Sequence, residues 1–508
     1  MKSISISRNV LFGFLSWFLP LGVTFALTPL IVHGLGTEAY GLYALVMGFI
    51  SYSFTSSIGR AITRYVSAYR ANNQTERIGE VLSSSFILNL CISLLSAGAL
   101  ALITNWLVTS VLNIEPRLQP QARLGFYLAS LGLLFTMLSQ VFSAVPQAIQ
   151  RFDVYSLIVT SAGIATIVGN ALLVWTGCGA NSLITWNVSV TALSCAAYLI
   201  ASRRLLPEAR LTLRVKKDLL AGIVRFSGAV TAYQMLGSLL LIFERSWLTR
   251  TLGPSAVTYY VVPMTIAIYI HAFISSLTMV VFPMASEADA RQDKVRLHLI
   301  YTRALKYILL LVIFLVITLA VGSRQILTAW MGAEFAQHAA GVLSIQAVVF
   351  GLMAISIVPW QIAEGLGYPG RNALLVLLWV VIALPLIVWL TPLFEVRGAA
   401  IARLIGVLSV PVYTLYVERW VFGRCLWEFW RRTGLLLAVA ASLLAILQAV
   451  LFNKLPASWL FLLASIILSG ALFSGTLWLA GYLDQDERAW MRRRLARAVT
   501  AFRAPDLA

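Results

Sequence analysis

Charge is scarce in this sequence. Asp, Glu, Lys and Arg make up 11% of its 508 residues, against roughly 25% in a soluble domain. A chain so poor in charge cannot cover a water-facing surface, which excludes a soluble enzyme. Cysteine is rare too, with four residues: Cys91 and Cys195 in apolar stretches, Cys178 and Cys425 in loops. No Cys-x-x-Cys spacing occurs and no histidine and acidic cluster has metal-ligand spacing, so neither a disulfide framework nor a metal is expected. A phosphate-cradling Gly-x-x-x-x-Gly-Lys-[Ser/Thr] loop is missing, which argues against ATP hydrolysis. No cofactor is expected, and nothing points to an enzyme.

What the chain has in abundance is apolar sequence, at 60% of all residues. A membrane-spanning helix needs about 20 mostly apolar residues. Fourteen such spans are predicted, near 9–33, 41–69, 80–107, 121–146, 152–175, 183–202, 225–249, 257–286, 302–322, 338–363, 372–391, 397–418, 433–453 and 457–482. Backbone groups in lipid must bond within their own segment, and runs such as 308–320 do not alternate as barrel strands do. The expected fold is therefore an all-α polytopic membrane protein, with loops too short for a soluble domain.

The 38 Lys and Arg outnumber the 20 Asp and Glu, for a net charge of +18. With the N-terminus inside, 30 of these basic residues fall on inner segments. Six fall on outer loops, and Arg245 and Arg403 sit within outer half-spans. Cytoplasmic loops collect Lys and Arg, so both termini are expected in the cytoplasm. The same rule accounts for the net charge without nucleic acid.

A weak internal repeat divides the chain. Leu35-Gly36-x-x-Ala39-x-x-x-Tyr43 returns as Leu252-Gly253-x-x-Ala256-x-x-x-Tyr260, 217 residues later, and Gln147 and Trp175 are echoed by Gln361 and Trp389 at an offset of 214. This predicts two parallel six-helix halves, 1–210 and 211–420, followed by two more helices and a basic tail over 421–508. Transporters built from such halves bind substrate near the membrane midplane between them.

Several segments carry a family resemblance. Thr28-Pro29-Leu30 and Leu35-Gly36 through Tyr43 open it. Glu244-Arg245 follows before Leu252-Gly253, then Phe282-Pro283, Glu364-Gly365-Leu366-Gly367 and Gly398-Ala399-Ala400-Ile401-Ala402. In this order, over roughly residues 8 to 420, the chain resembles the bacterial polysaccharide flippases of the multidrug, oligosaccharidyl-lipid and polysaccharide exporter superfamily. The acidic residue before the span-seven arginine is often Asp in that family and is Glu244 here. The resemblance implies movement of an undecaprenyl-diphosphate-linked oligosaccharide to the outer leaflet of the inner membrane, by alternating access, for O-antigen or exopolysaccharide synthesis. It admits a polysaccharide polymerase and a chain-length regulator as partners, beside the inner-membrane lipids. A lipid II flippase and a multidrug or cation antiporter share the fold and remain alternatives.

Charge inside a span costs about 2.5–3.5 kcal/mol on insertion scales and marks a cavity or pathway. Arg60 and Arg64 lie one turn apart on a face with Ser53, Ser56, Ser57, Thr63 and Ser67. Snorkelling to headgroups is the competing reading for both. Arg245 shares a polar arc with Ser227, Thr231, Gln234 and Ser238. Arg60, Arg64, Gln234, Arg245 and Arg403 are the candidate residues for a diphosphate and sugar. Glu244, His271 and Glu364 are candidates for ion coupling. Against these stand a structural ion pair of Glu244 with Arg245 or Arg403, a packed His271 and a solvated Glu364 at a span end. Gln346 and Glu364, 18 residues apart, are expected on one face.

Overall fold

The computed structural model describes residues 6–52, 58–71, 74–207, 216–368, 370–485 and 487–488. Apolar runs without alternation give helices, and among the described residues there is no strand. The chain begins with α1 (Ile6–Leu35), α2 (Thr37–Tyr52), α3 (Ile58–Ala71) and α4 (Thr75–Trp106), the last prolonged by a π-turn over Leu107–Val111. Then come α5 (Gln119–Ala148), α6 (Phe152–Trp175), α7 (Ala180–Leu205), α8 (Lys217–Leu252), α9 (Pro254–Thr278) and α10 (Val281–Ala290). After α11 (Lys294–Val321) a short α12 (Ser323–Met331) leads to α13 (Ala333–Ile355) and α14 (Ile357–Gly365). The last are α15 (Gly370–Val407), α16 (Ser409–Phe422), α17 (Trp427–Lys454) and α18 (Trp459–Leu479).

Ten helical stretches among the described residues are long and apolar enough to cross a bilayer. This is a multi-pass membrane protein. The surface agrees: Leu102 is 86% exposed, Trp175 80% and Leu479 85%, an apolar exterior that water would not tolerate but lipid does. The ten stretches do not map one to one onto the fourteen expected spans. The run Gly370–Phe422 counts once although the backbone breaks inside it at Glu395, where φ is 53° and ψ −137°. The chain doubles back there so tightly that a Cβ on Gly398 would lie 2.1 Å from the Leu390 carbonyl oxygen.

Two compact units divide the chain. Unit 1 is Met1–Val262 with Pro369–Gly406, and unit 2 is Pro263–Tyr368 with Val407–Ala508. These boundaries differ from the expected halves 1–210 and 211–420. The divisions after Val262 and Gly406 fall within helices α9 and α15, where a loop-based reading of the sequence places no boundary.

In unit 1, α2 packs Leu42, Leu45 and Val46 against Phe126, Ala129 and Leu133 of α5 and Ile184 and Val188 of α7. A second cluster joins Ile62 and Val66 of α3 to Ile78 and Val81 of α4, Val141 and Val145 of α5 and Tyr198 of α7. In unit 2, Tyr301, Leu305, Ile308 and Val312 of α11 form the spine. Ala347 and Ala354 of α13, Leu437 and Leu444 of α17 and Phe473 and Leu477 of α18 close around it.

The two repeat motifs meet within unit 1. Gly36 (φ 79°) and Gly253 (φ 82°) each end a helix in a backbone conformation that favours glycine. The Thr258 hydroxyl then donates to the Thr37 carbonyl at 2.6 Å. A Cβ on Gly41 would lie 1.8 Å from the Pro254 carbonyl oxygen, so the bare glycine sets how closely the two segments approach.

Candidate functional site

The site grows from two adjacent residues of α8. Successive side chains on a helix point about 100° apart, so Glu244 and Arg245 reach different neighbours. Glu244 accepts from Nη1 of Arg403, in the second limb of α15, at 3.0 Å. Their side chains are 0% and 2% exposed. Trp379 stacks on that guanidinium, with its ring centroid 5.4 Å from Arg403 Cζ, and buried Tyr260 stands in the field of both charges. Arg245 turns the other way. Its Nη1 donates to the Ala44 carbonyl of α2 at 2.8 Å, and its Cζ lies 5.0 Å from the Tyr52 ring centroid. Gly48 makes room for it, since a Cβ there would lie 2.3 Å from Arg245 Nη1.

Of the two structural pairs the sequence offered, this is Glu244 with Arg403. In this structure the Arg403 guanidinium is buried against a carboxylate and an indole. The reason is electrostatic. A carboxylate without a counter-charge at that depth costs several kcal/mol, and a nearby cation is drawn onto it.

A second polar pairing centres on Tyr43. Tyr43 OH accepts from Nδ2 of Asn170 at 3.1 Å and from Nδ2 of Asn187 at 2.8 Å. Tyr43 and Tyr260 are 217 residues apart, and Asn187 and Arg403 are 216 apart. A tyrosine thus meets a polar partner at matching places of the two segments, neutral in the first and charged in the second. Tyr43 is part of the repeat motif, but its role was missed. The signal available was an asparagine recurring deep in two apolar spans.

The other candidates are dispersed. Arg60 and Arg64 are in α3, on a helix with a strongly polar face; their side chains, and residues 53–57 with Ser53, Ser56 and Ser57, lie outside the described residues. Gln234 is half-buried in α8, with Ser238 buried one turn on. His271 and Glu364 belong to unit 2. His271 is half-buried in α9. Glu364, in α14, is half-buried and accepts from Trp360 Nε1 at 2.9 Å. Gln346 is fully buried and Glu364 is not, because the helix breaks at Ser356 between α13 and α14 and the 3.6-residue count does not carry across. No group of three His, Cys, Asp or Glu with metal-binding geometry occurs among the described residues.

Two polar centres of unit 2 had no place in the sequence reading. Gln448 of α17 donates to Thr318 of α11 at 2.9 Å and to Ser469 of α18 at 3.0 Å. Glu418 of α16 collects Tyr301 OH, the Leu426 backbone N–H and Trp430 Nε1 at 2.8–3.0 Å. Gln448 stands out in the sequence as a lone polar residue in an apolar run, whereas Glu418, beside Arg419 at a span end, does not.

The pattern of a family described as "Polysaccharide biosynthesis protein" matches residues 35–340. The chain belongs to that family. It is 21% identical over 412 residues to a Shigella flexneri protein named for O-antigen transport, covering 80% of this chain and 96% of that one. It is 24% identical over 349 residues to the membrane protein EpsK of Bacillus subtilis (strain 168), covering 66% of each. Among solved structures, the lipid II flippase MurJ in an inward closed conformation superposes with TM-score 0.72 at 13% identity, over 92% of this chain and 99% of that one. An inward-facing multidrug resistance MATE family transporter of the MOP superfamily gives 0.67 at 16% identity, over 82% and 98%. At such identities these structures share the fold.

Proposed function

We propose that this chain is a flippase. It carries an undecaprenyl-diphosphate-linked oligosaccharide across the bacterial inner membrane, by alternating access, for O-antigen or exopolysaccharide synthesis. The observation that carries the reading is the excess of deep cations at α8: Glu244 is matched by Arg403, and Arg245 remains beyond that pair. An anionic group is the natural guest of such a site, and guanidinium suits a diphosphate through short charge-assisted bonds. Arg60 and Arg64 extend the cationic set, and Gln234 offers an amide to the sugar. In this reading Arg403 engages the diphosphate only when it leaves Glu244, so the pair would open and close with the transport cycle. Glu244, His271 and Glu364 would be the candidates where an ion gradient couples. Transport needs no bond to be made or broken, so the chain is not an enzyme. Both termini would face the cytoplasm.

Deletion of the gene should remove the surface polymer and leave lipid-linked oligosaccharide on the cytoplasmic face. Reintroduced Arg245→Ala should fail to restore export at wild-type protein levels. Normal export by Arg245→Ala would remove this arginine from the mechanism. Drug sensitivity with intact glycans would instead favour the multidrug reading, against which the pairing of Glu244 already weighs, since a cationic drug would seek an unpaired acid.

A further inference from the structure

Unit 2 contains a cavity of about 590 Å³ at one end of its helices. It is bounded by the first turns of α11, the loop from α16 to α17, the start of α17 and the chain just after α18. Arg303, Arg424 and Arg432 line it, and none of the three forms an ion pair among the described residues. Lys306 also lines it but is already satisfied by Asp484 at 3.2 Å and Glu487 at 2.7 Å. Glu428 is the one further carboxylate in the wall. The wall thus keeps three unmatched guanidinium groups against one acid, from three separate chain segments.

A general excess of basic residues at one membrane face would scatter them over the surface. Here they converge on a hollow whose wall also carries the Thr302 and Thr433 hydroxyls and the apolar Leu299 and Leu436. Leu299 is 46% exposed and Leu435, beside the cavity on α17, 67%, so the hollow adjoins helix surface suited to acyl chains.

We propose that this cavity is a binding site for an anionic phosphate group, distinct from the α8 cluster, with guanidinium forks holding the phosphate oxygens. The headgroup of an anionic phospholipid and free phosphate share that chemistry, and the apolar margin favours the lipid. The proposal does not rest on the transport reading, and its test needs no transport.

The test uses the full-length protein purified in a neutral detergent, titrated with phosphatidylglycerol and separately with inorganic phosphate, with bound ligand read by native mass spectrometry. Arg303→Gln and Arg432→Gln should each weaken binding about tenfold, the equivalent of one lost charge-assisted hydrogen bond. Arg431→Gln removes the same charge from the neighbouring position, outside the cavity, and should leave binding unchanged. Should either α-helical variant lose its monodisperse profile, Arg424→Gln, exposed in the loop, gives the same reading. Binding of phosphatidylglycerol alone with this dependence assigns the site to a lipid; equal dependence for inorganic phosphate assigns it to the free anion. Equal weakening by Arg431→Gln, or no binding of either probe by the wild type, overturns the site.

Discussion

At the scale of single residues, the decisive choice is where a buried charge finds its partner. Removing one member of a buried pair strands the other, at about 3–5 kcal/mol, whereas replacing both with apolar groups is often neutral or better. Glu244→Gln and Arg403→Met should therefore each lower thermal stability in detergent, while Glu244→Leu combined with Arg403→Met restores it. Export should remain lost in the double variant, which separates the pair's role in transport from its role in folding. That Glu244 pairs at all was legible in the sequence, because a deep carboxylate beside deep arginines demands it. Which arginine it takes was not. Arg245 is adjacent but points away, and Arg403 lies 159 residues further on. Periodicity gives the direction a side chain leaves its helix, not the helix it meets. For the same reason Tyr43 was legible as a motif letter and not as the acceptor for two asparagines.

At the scale of helices, apolar surface cannot hold one span against another, since lipid offers the same contact. Interhelical hydrogen bonds supply part of the difference, at about 0.6 kcal/mol on average and up to about 1.7. Gln448 bonds α17 to both α11 and α18. Gln448→Leu should cost stability in that range, read by thermal unfolding, and loosen the last two helices first in hydrogen exchange. Beyond α18 the chain is held to α11 by Glu487, which accepts from Lys306 at 2.7 Å and Tyr307 OH at 2.6 Å. Burial opposes its charge, but these donors outweigh that cost and hold its carboxyl below the usual carboxylate range. A lowered folded value means the tether is at full strength above the ordinary Glu value of about 4.3 and is lost as pH falls through the folded one. The Asp484 amide, which donates to Glu487 at 2.8 Å, should lose hydrogen-exchange protection over that acidic range, and Glu487→Gln should abolish the dependence. Helices were legible wherever hydropathy ran unbroken. The turn at Glu395 was legible as the gap between the spans near 372–391 and 397–418. The break at Ser356 falls inside a single expected span, although Pro359 leaves the Ile355 carbonyl without its helical donor and so marks the place.

At the scale of the whole chain, the units are not consecutive halves. Unit 1 is completed only by Pro369–Gly406. A chain ended at residue 368 should therefore be cleared from the membrane, and Glu244→Gln should lengthen its lifetime in a pulse-chase measurement, since the stranded charge is gone. Equal turnover of the two truncated chains would count against the pair as the reason. Fold class was legible from composition alone. The return of α15 to unit 1 was not, because it depends on contacts across long stretches of chain.

The same pair sets a clock during synthesis. Ribosomes add about 5–20 residues per second, so the 159 residues from Glu244 to Arg403 take roughly 8–30 s to make. For that interval α8 is in place with its carboxylate unanswered. A newborn chain must therefore keep Glu244 hydrated, protonated or sheltered by an insertion factor until α15 emerges, and slowing translation between the two codons should prolong its exposure to membrane proteases.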